Sequence, residues 1–369
     1  MFRPDAIFYE ENVKEYELGN RLLNIYEAEK VPMTVIENHN NIEEMRNKKN
    51  KEFPRMKRNL IIATRKTHKY VENHNNIEEM RNKGNKEFPI MKRNLIIATR
   101  KTHKYVENHK VSDFLVPYTS SGCIAMCMYC YLVCNYNKCA YLRLFVNREQ
   151  MLDKLKNTAN KNEKDLVFEI GSNSDLVLEN TITGNLEWTI DNFKDNPKGK
   201  ITFPTKFDMV EPILDLNHNG KVIVRMSLNP EEIINRVEFG TSRLKNRLEA
   251  INKLVEAGYE VGILIAPIIL VDNWKELYEN LLKEMQEKLS TKAKKIVFFE
   301  LIFMTYSYVH NAINHEAFPN AIELYNKEQM TGRGRGKYAY KPAIKEEAKK
   351  YMQDLMKKYF PSNEIKYIV

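Results

Sequence analysis

Glu260-Val261-Gly262-Ile263-Leu264-Ile265-Ala266 reads as one strand, and at Val261 it enters the longest apolar run in the chain, which continues through Pro267 to Val271. A bilayer span needs about 20 apolar residues, so a run of this length reads as a buried strand. Amphipathic helical patterns flank it at residues 242–257 and 273–289. Outward from there the alternation repeats. Short apolar runs at 166–170, 200–203, 221–226 and 295–301 predict strands. Residues 148–158, 186–193 and 344–360 predict helices, the last with Ile344, Ala348, Tyr351, Leu355 and Tyr359 on one face. Such alternation implies right-handed βαβ units and a parallel sheet, and nearly continuous apolar strands fit a sheet covered on both faces. Five or six units suit an α/β fold built as an open, partial (β/α) barrel better than a closed eightfold one. In either geometry chemistry collects at the C-terminal ends of the strands.

The N-terminal third is organised differently. A short helix is predicted at 20–29 and a short strand at 33–36. Residues 37–71 then recur as 72–106, a period of 35 with two differences, Lys49 against Gly84 and Arg55 against Ile90. Stacked repeat folds need three or more units that share a core pattern. Two near-identical copies read instead as a tandem duplication with one copy structurally redundant. Each copy carries one strand candidate, 60–64 and 95–99. Half of the eight histidines (His39, His68, His74 and His103) belong to the repeat, so they are not independent ligand candidates. The expected division is 1–110, a small α/β region containing the duplication, and 111–369, the partial barrel with a C-terminal β-hairpin and helix.

The chain of 369 residues has 58 Lys plus Arg against 49 Asp plus Glu, a formal net charge of +9. Copy one carries a net +6 and copy two a net +4, so removing either leaves +3 or +5. A case for a polyanionic partner must therefore rest on where the charge sits rather than on its sum. Apolar residues at 43% and aromatic residues at 10% exclude a disordered polyelectrolyte. Met1-Phe2-Arg3-Pro4-Asp5 begins no signal-peptide core, which predicts a cytoplasmic protein without membrane association.

All five cysteines, Cys123, Cys127, Cys130, Cys134 and Cys139, fall within 17 residues. A disulfide framework would spread them through a small secreted fold, so this crowding favours a metal or cluster. Cys123-x3-Cys127-x2-Cys130 places three thiolates on one tight loop. Iron–sulfur clusters require thiolates, usually four, and three would leave one iron of a four-iron cluster open to a small molecule. Spacing alone also leaves open a zinc site, completed by Cys134 or Cys139, or plain thiols.

With an aromatic before the last cysteine, this motif resembles that of radical S-adenosylmethionine enzymes. The wider stretch Ser121-Gly122-Cys123-Ile124-Ala125-Met126-Cys127-Met128-Tyr129-Cys130-Tyr131-Leu132 is similar to the spore photoproduct lyase family in particular. The likeness continues through Tyr141-Leu142-Arg143, Phe168-Glu169, Ser174-Asp175, Thr205-Lys206-Phe207, Ser227 with Asn229, Ala266-Pro267, Phe299-Glu300-Leu301 and Gly336-Lys337-Tyr338. The resemblance implies a barrel of radical S-adenosylmethionine type with a [4Fe-4S] cluster on Cys123, Cys127 and Cys130. S-adenosyl-L-methionine would bind the open iron, with Ser174, Asp175, Lys206 and Ser227 facing it. Position alone would make Asp175 a helix cap and Lys206 a solvated side chain. The implied reaction uses a 5′-deoxyadenosyl radical to reverse 5-thyminyl-5,6-dihydrothymine in ultraviolet-damaged spore DNA to two thymines. Tyr129 and Tyr131 would lie in the hydrogen-return path. A flavodoxin or ferredoxin as electron donor, a monomer, and a place in the spore core complete the expectation.

One departure stands out. The family's hydrogen-donating cysteine falls on Ser172, and a serine O–H is a much poorer hydrogen-atom donor than a thiol. Cys134 and Cys139, relayed by Tyr129 or Tyr131, become the candidate donors. Met330-Thr331-Gly332-Arg333-Gly334-Arg335-Gly336-Lys337-Tyr338 reads by itself as an exposed basic turn. With the resemblance it implies a hairpin contacting DNA through Arg333, Arg335, Lys337 and Tyr338, the lesion being turned out of the stack. Two other readings compete: a radical enzyme acting on a different substrate, which Ser172 permits, and a zinc-stabilised, non-catalytic nucleic-acid-binding protein.

Overall fold

A computed structural model of the chain describes residues 3–37, 92–132, 142–334 and 336–369. Its smaller sheet contains β1 (Ala6–Glu10), β2 (Met33–Ile36), β3 (Asn94–Ala98), β6 (Ser120–Ser121) and β8 (Leu142–Phe145) in the order β2-β1-β3-β8-β6. The larger contains β4 (Val106–Glu107), β5 (Phe114–Leu115), β9 (Val167–Glu169), β10 (Lys200–Thr205), β11 (Val222–Leu228), β13 (Glu260–Ile268), β14 (Phe298–Phe303) and β18 (Ile365–Ile368). Their order is β18-β14-β13-β11-β10-β9-β5-β4, parallel from β5 through β18, with β4 antiparallel at the edge. The first and last strands do not pair, so the sheet is the expected open barrel. A two-strand ladder joins β7 (Met126–Cys127) to β12 (Glu238–Phe239). A third sheet, in the order β15-β17-β16, contains β15 (Thr305–Ser307), β16 (Met330–Gly332) and β17 (Lys337–Tyr340), the last two forming the C-terminal hairpin.

Five of these strands, β9, β10, β11, β13 and β14, form where apolar runs predict them because helices cover their outer face, whereas β4, β5 and β18 have no predicted counterpart. The helix Leu244–Glu256 buries Leu248, Ile251, Leu254 and Val255 completely, each such burial contributing about 1.5–3 kcal/mol. One prediction shifts. Ser290 caps the helix Thr291–Ile296 by accepting from the Ala293 N–H at 3.1 Å, so β14 starts at Phe298 rather than at residue 295. The final helix, Pro342–Tyr359, buries Ala348, Met352, Leu355 and Met356. Tyr351 and Tyr359 lie at its margin instead, Tyr351 edge-on to Trp274 at 5.1 Å and Tyr359 bonded to Glu279. No helix among the described residues is long and apolar enough to cross a membrane.

Inside the curl, one layer is polar. Arg225 on β11 donates to Thr202 on β10 at 3.0 Å and pairs with Glu169 on β9 and Glu300 on β14. The Tyr367 hydroxyl on β18 donates to Glu300 in turn. To reach Glu300 the guanidinium must cross β13, and it does so over Gly262. A Cβ at that position would overlap the Phe298 ring and lie 3.2 Å from the Arg225 Cγ. Buried charges are costly when unpaired, so this layer penalises any register that separates its members.

In the smaller sheet β3 lies between β1 and β8 and comes from the second copy of the duplicated unit. The corresponding strand of the first copy, at 60–64, lies outside the described residues. Because the copies differ at only two positions, deleting residues 37–71 or residues 72–106 leaves one complete strand segment. Both deletion variants should keep an unfolding free energy within about 0.5 kcal/mol of the full chain in urea titration, the range of neutral changes. A large loss in either would show that both copies are structural.

Candidate active site

The cysteine loop is held from several sides by elements distant in sequence. The Gly122 N–H donates to Asn173 O at 2.8 Å, and Met128 N–H to Val237 O at 3.0 Å. The β7–β12 ladder sets Cys127 opposite Glu238 and Met126 opposite Phe239. Lys92, buried in the second repeat copy, donates to the Cys123 carbonyl at 2.6 Å. From the helix Tyr308–Ala317, the Asn314 amide donates to Met128 O at 2.8 Å and to the Tyr306 hydroxyl at 2.7 Å. His310 Nε2 meets the Cys130 carbonyl at 3.0 Å. Burial holds the His310 imidazole down at about 4, so the ring is neutral at pH 7. A carbonyl only accepts, so Nε2 carries the proton and Nδ1 is left to accept from Ser307 at 3.2 Å.

Under the loop lies a fully buried ion pair. Arg247 and Glu238, both with completely buried side chains, meet at 2.7 Å. The Glu238 carboxylate also accepts from Asn229 Nδ2 at 2.8 Å and from the Tyr129 hydroxyl. Arg247 also donates to Ser227 O at 2.9 Å, Ser242 O at 2.9 Å and Thr241 Oγ1 at 2.7 Å. Burial pushes the Glu238 carboxyl up, but Arg247 and Lys206 outweigh it and hold the group below its ordinary range. The acid is therefore ionised at neutral pH.

One cavity collects the predicted cofactor and cluster residues. Cys123, Cys127, Cys130, Tyr129, Tyr131, Ser174, Asp175, Lys206 and Ser227 all line it, together with Ser172 and Ala266. Its volume is about 740 Å³ including the open mouth. It opens where β9, β10, β11 and β13 end, the face on which barrel chemistry is expected.

Several of these groups already have partners. Asp175 is the N-cap of the helix Leu176–Thr183, accepting from Val177 and Leu178 N–H at 3.2 Å each. It also accepts from Thr205 Oγ1 at 2.8 Å and Lys206 N–H at 2.9 Å. Ser227 donates to Ala266 O at 3.0 Å, and Ser174 bonds to Ser120. The Lys206 ammonium lies 5.6 Å over the Tyr129 ring. Half-exposed Tyr131 donates its hydroxyl to the Ser172 carbonyl. Burial pushes the Cys123 thiol up to about 12, against the pull of Lys92, and raises Cys127 as well. The bare Cys123 and Cys127 thiols therefore stay protonated at pH 7, and a bound cationic centre would supply the charge that stabilises thiolates.

Cys134, Cys139 and Arg335 lie outside the described residues. Arg333, Lys337 and Tyr338 sit on or beside the hairpin rather than in the cavity, and Tyr338 packs against Tyr325 at 4.7 Å. Sequence reasoning missed Lys92, Glu238, Arg247, His310 and Asn314, since no local motif marks them. Removing one partner of a buried pair leaves an uncompensated charge. Arg247→Met should therefore cost about 3–5 kcal/mol in denaturant unfolding, and a loss under 1 kcal/mol would contradict the support assigned to this pair.

Comparison with known proteins agrees with this geometry. A family model described as spore photoproduct lyase matches residues 69–369. The spore photoproduct lyase of Bacillus subtilis is 27% identical over 372 residues, spanning 99% of this chain and 98% of the relative. That of Clostridium acetobutylicum is 32% identical over 256 residues, 68% of this chain and 75% of the relative. A spore photoproduct lyase variant solved with AdoMet and dinucleoside spore photoproduct shares the fold, with a TM-score of 0.83 and 23% identity over 100% of this chain and 99% of that one. From the amphipathic helices of the barrel to the cysteine loop above it, the chain belongs to the spore photoproduct lyase family.

Proposed function

We propose that this protein is a radical S-adenosylmethionine lyase that repairs the spore photoproduct in ultraviolet-damaged DNA, restoring two thymines. The observation that carries the reading is the convergence of three cysteines and four expected cofactor residues on one cavity at the strand ends. The donor set suits a [4Fe-4S] cluster: three buried or half-buried thiols on a loop pinned through its backbone, with their side chains facing the cavity. When bound, the cluster and S-adenosylmethionine supply a 5′-deoxyadenosyl radical.

The chain's own part is to bind and orient. Cys123, Cys127 and Cys130 would hold the cluster. Lys206 offers a cation to the cofactor's carboxylate, while Asp175 and Ser227, already hydrogen-bonded, fix the shape of the wall. Tyr129 turns its hydroxyl toward Glu238, whereas the Tyr131 hydroxyl lies beside Ser172. Tyr131 is thus the better placed relay, passing a hydrogen atom from Cys134 or Cys139 to the thymine-derived radical. Arg333, Arg335, Lys337 and Tyr338 contact the DNA. The protein works as a cytoplasmic monomer of the spore core, reduced by a flavodoxin or ferredoxin.

Anaerobic reconstitution with iron and sulfide, followed by S-adenosylmethionine, reductant and dinucleoside spore photoproduct, tests the proposal. It should give 5′-deoxyadenosine and repaired thymines, with Cys123→Ala abolishing both. Absence of 5′-deoxyadenosine would overturn the radical assignment. Its formation without repair would point to a different substrate. Either Cys134→Ala or Cys139→Ala should cut thymine recovery while cofactor cleavage persists, and clean repair in both would rule out those donors.

A further inference from the structure

The final helix has two unlike flanks. On the side facing the helix Trp274–Lys288 its charges are matched: Glu347 pairs with Lys275 at 2.7 Å and Lys358 with Glu279 at 2.8 Å. On the other side Lys341, Lys345 and Lys349 follow one another at four-residue steps, and none forms an ion pair with a described residue. Four-residue steps along a helix place side chains on one face about 6 Å apart along the axis. Lys341 is the N-cap residue, directly after β17, so the row continues from the hairpin that carries Arg333 and Lys337.

Lys345 lies 6.0 Å over the Phe303 ring and Lys110 4.9 Å over the Tyr367 ring, which anchors both cations near the edge of the barrel. Burial and then repulsion from Arg333, Lys349 and Lys110, opposed by Glu346, hold the Lys345 ammonium below its ordinary range. These cations therefore feel one another. A cluster in which like charges outweigh counter-charges opposes folding through self-repulsion, and a polyanion relieves that repulsion.

We propose that Lys341, Lys345 and Lys349, flanked by Arg333 and Lys110, form a track for the phosphates of the duplex beside the lesion. The inference rests on the DNA-repair reading above for its ligand, but it concerns sequence-independent backbone contact, separate from the cavity. Four-residue spacing lets each lysine take a different phosphate of one strand. Such contacts set register on the duplex and carry no sequence information.

The test measures binding of the full chain to undamaged duplex DNA as a function of salt, for the unsubstituted protein and for K341Q/K345Q/K349Q. Glutamine keeps helix propensity and removes only charge. Each lost phosphate contact should lower the slope of log K against log salt by about 0.9, so the triple variant should lose roughly 2–3. A single K345Q should lose about 0.9, guarding against a folding defect in the triple variant. Turnover of dinucleoside spore photoproduct, which has no flanking phosphates, should stay unchanged while kcat/KM on lesion duplex falls at least about tenfold. An unchanged slope overturns the track whatever the activity. If the unsubstituted protein leaves the lesion intact but the variants still reduce the slope, the repair reading fails and the track stands.

Discussion

The buried pair of Glu238 and Arg247 is the interaction on which the site depends. Through its backbone Glu238 pairs with Cys127, and through its carboxylate it takes the Tyr129 hydroxyl, so one residue grips both the strand and the turn of the cysteine loop. Arg247 then ties that carboxylate to Ser227 O at the end of β11 and to the start of its own helix. A charged pair in this position is worth little as simple stability, because desolvation offsets most of the attraction. Its value is geometric. With all three guanidinium nitrogens and both oxygens of the carboxylate engaged, the loop has few ways to move without exposing an unpaired charge.

The same logic recurs one layer deeper. Arg225, Glu169, Glu300 and Tyr367 span the barrel from β9 to β18 and fix the register of the strands whose ends form the cavity wall. Gly262 belongs to this layer as much as the charges do, since any side chain there would block the path of Arg225. Above it, the wall is built from short-range hydrogen bonds: Asp175 caps its helix and holds the Lys206 backbone, and Ser227 is bonded to Ala266 O. The polar layer aligns the strands, the strand ends shape the wall, and the ion pair holds the loop against it.

How far this was legible follows from whether each signal is local. Five strands of the barrel show in the sequence because apolar periodicity is a property of neighbouring residues, while β4, β5 and β18 are too short to carry it, and β14 is shifted because a single serine cap turns 291–296 into a helix. The three cysteines announce themselves by spacing, and Asp175 reads as a cap from its position alone. His310 and Asn314 were invisible because their partners in the cysteine loop lie 180 and 186 residues away. Glu238 and Arg247 are only 9 apart, but nothing in their local pattern separates a buried pair from the many exposed ones. The duplication left two equivalent candidates for one strand, and the fold takes β3 and Lys92 from the second.

The proposed function requires the pinned loop to present three cysteines to a cluster with one open iron that binds S-adenosylmethionine. Electron paramagnetic resonance of the reduced, iron-reconstituted protein before and after adding S-adenosylmethionine tests this most directly. The account predicts a reduced four-iron signal that shifts when the cofactor is added. A signal indifferent to the cofactor, or a protein that takes up zinc and no iron, would contradict it.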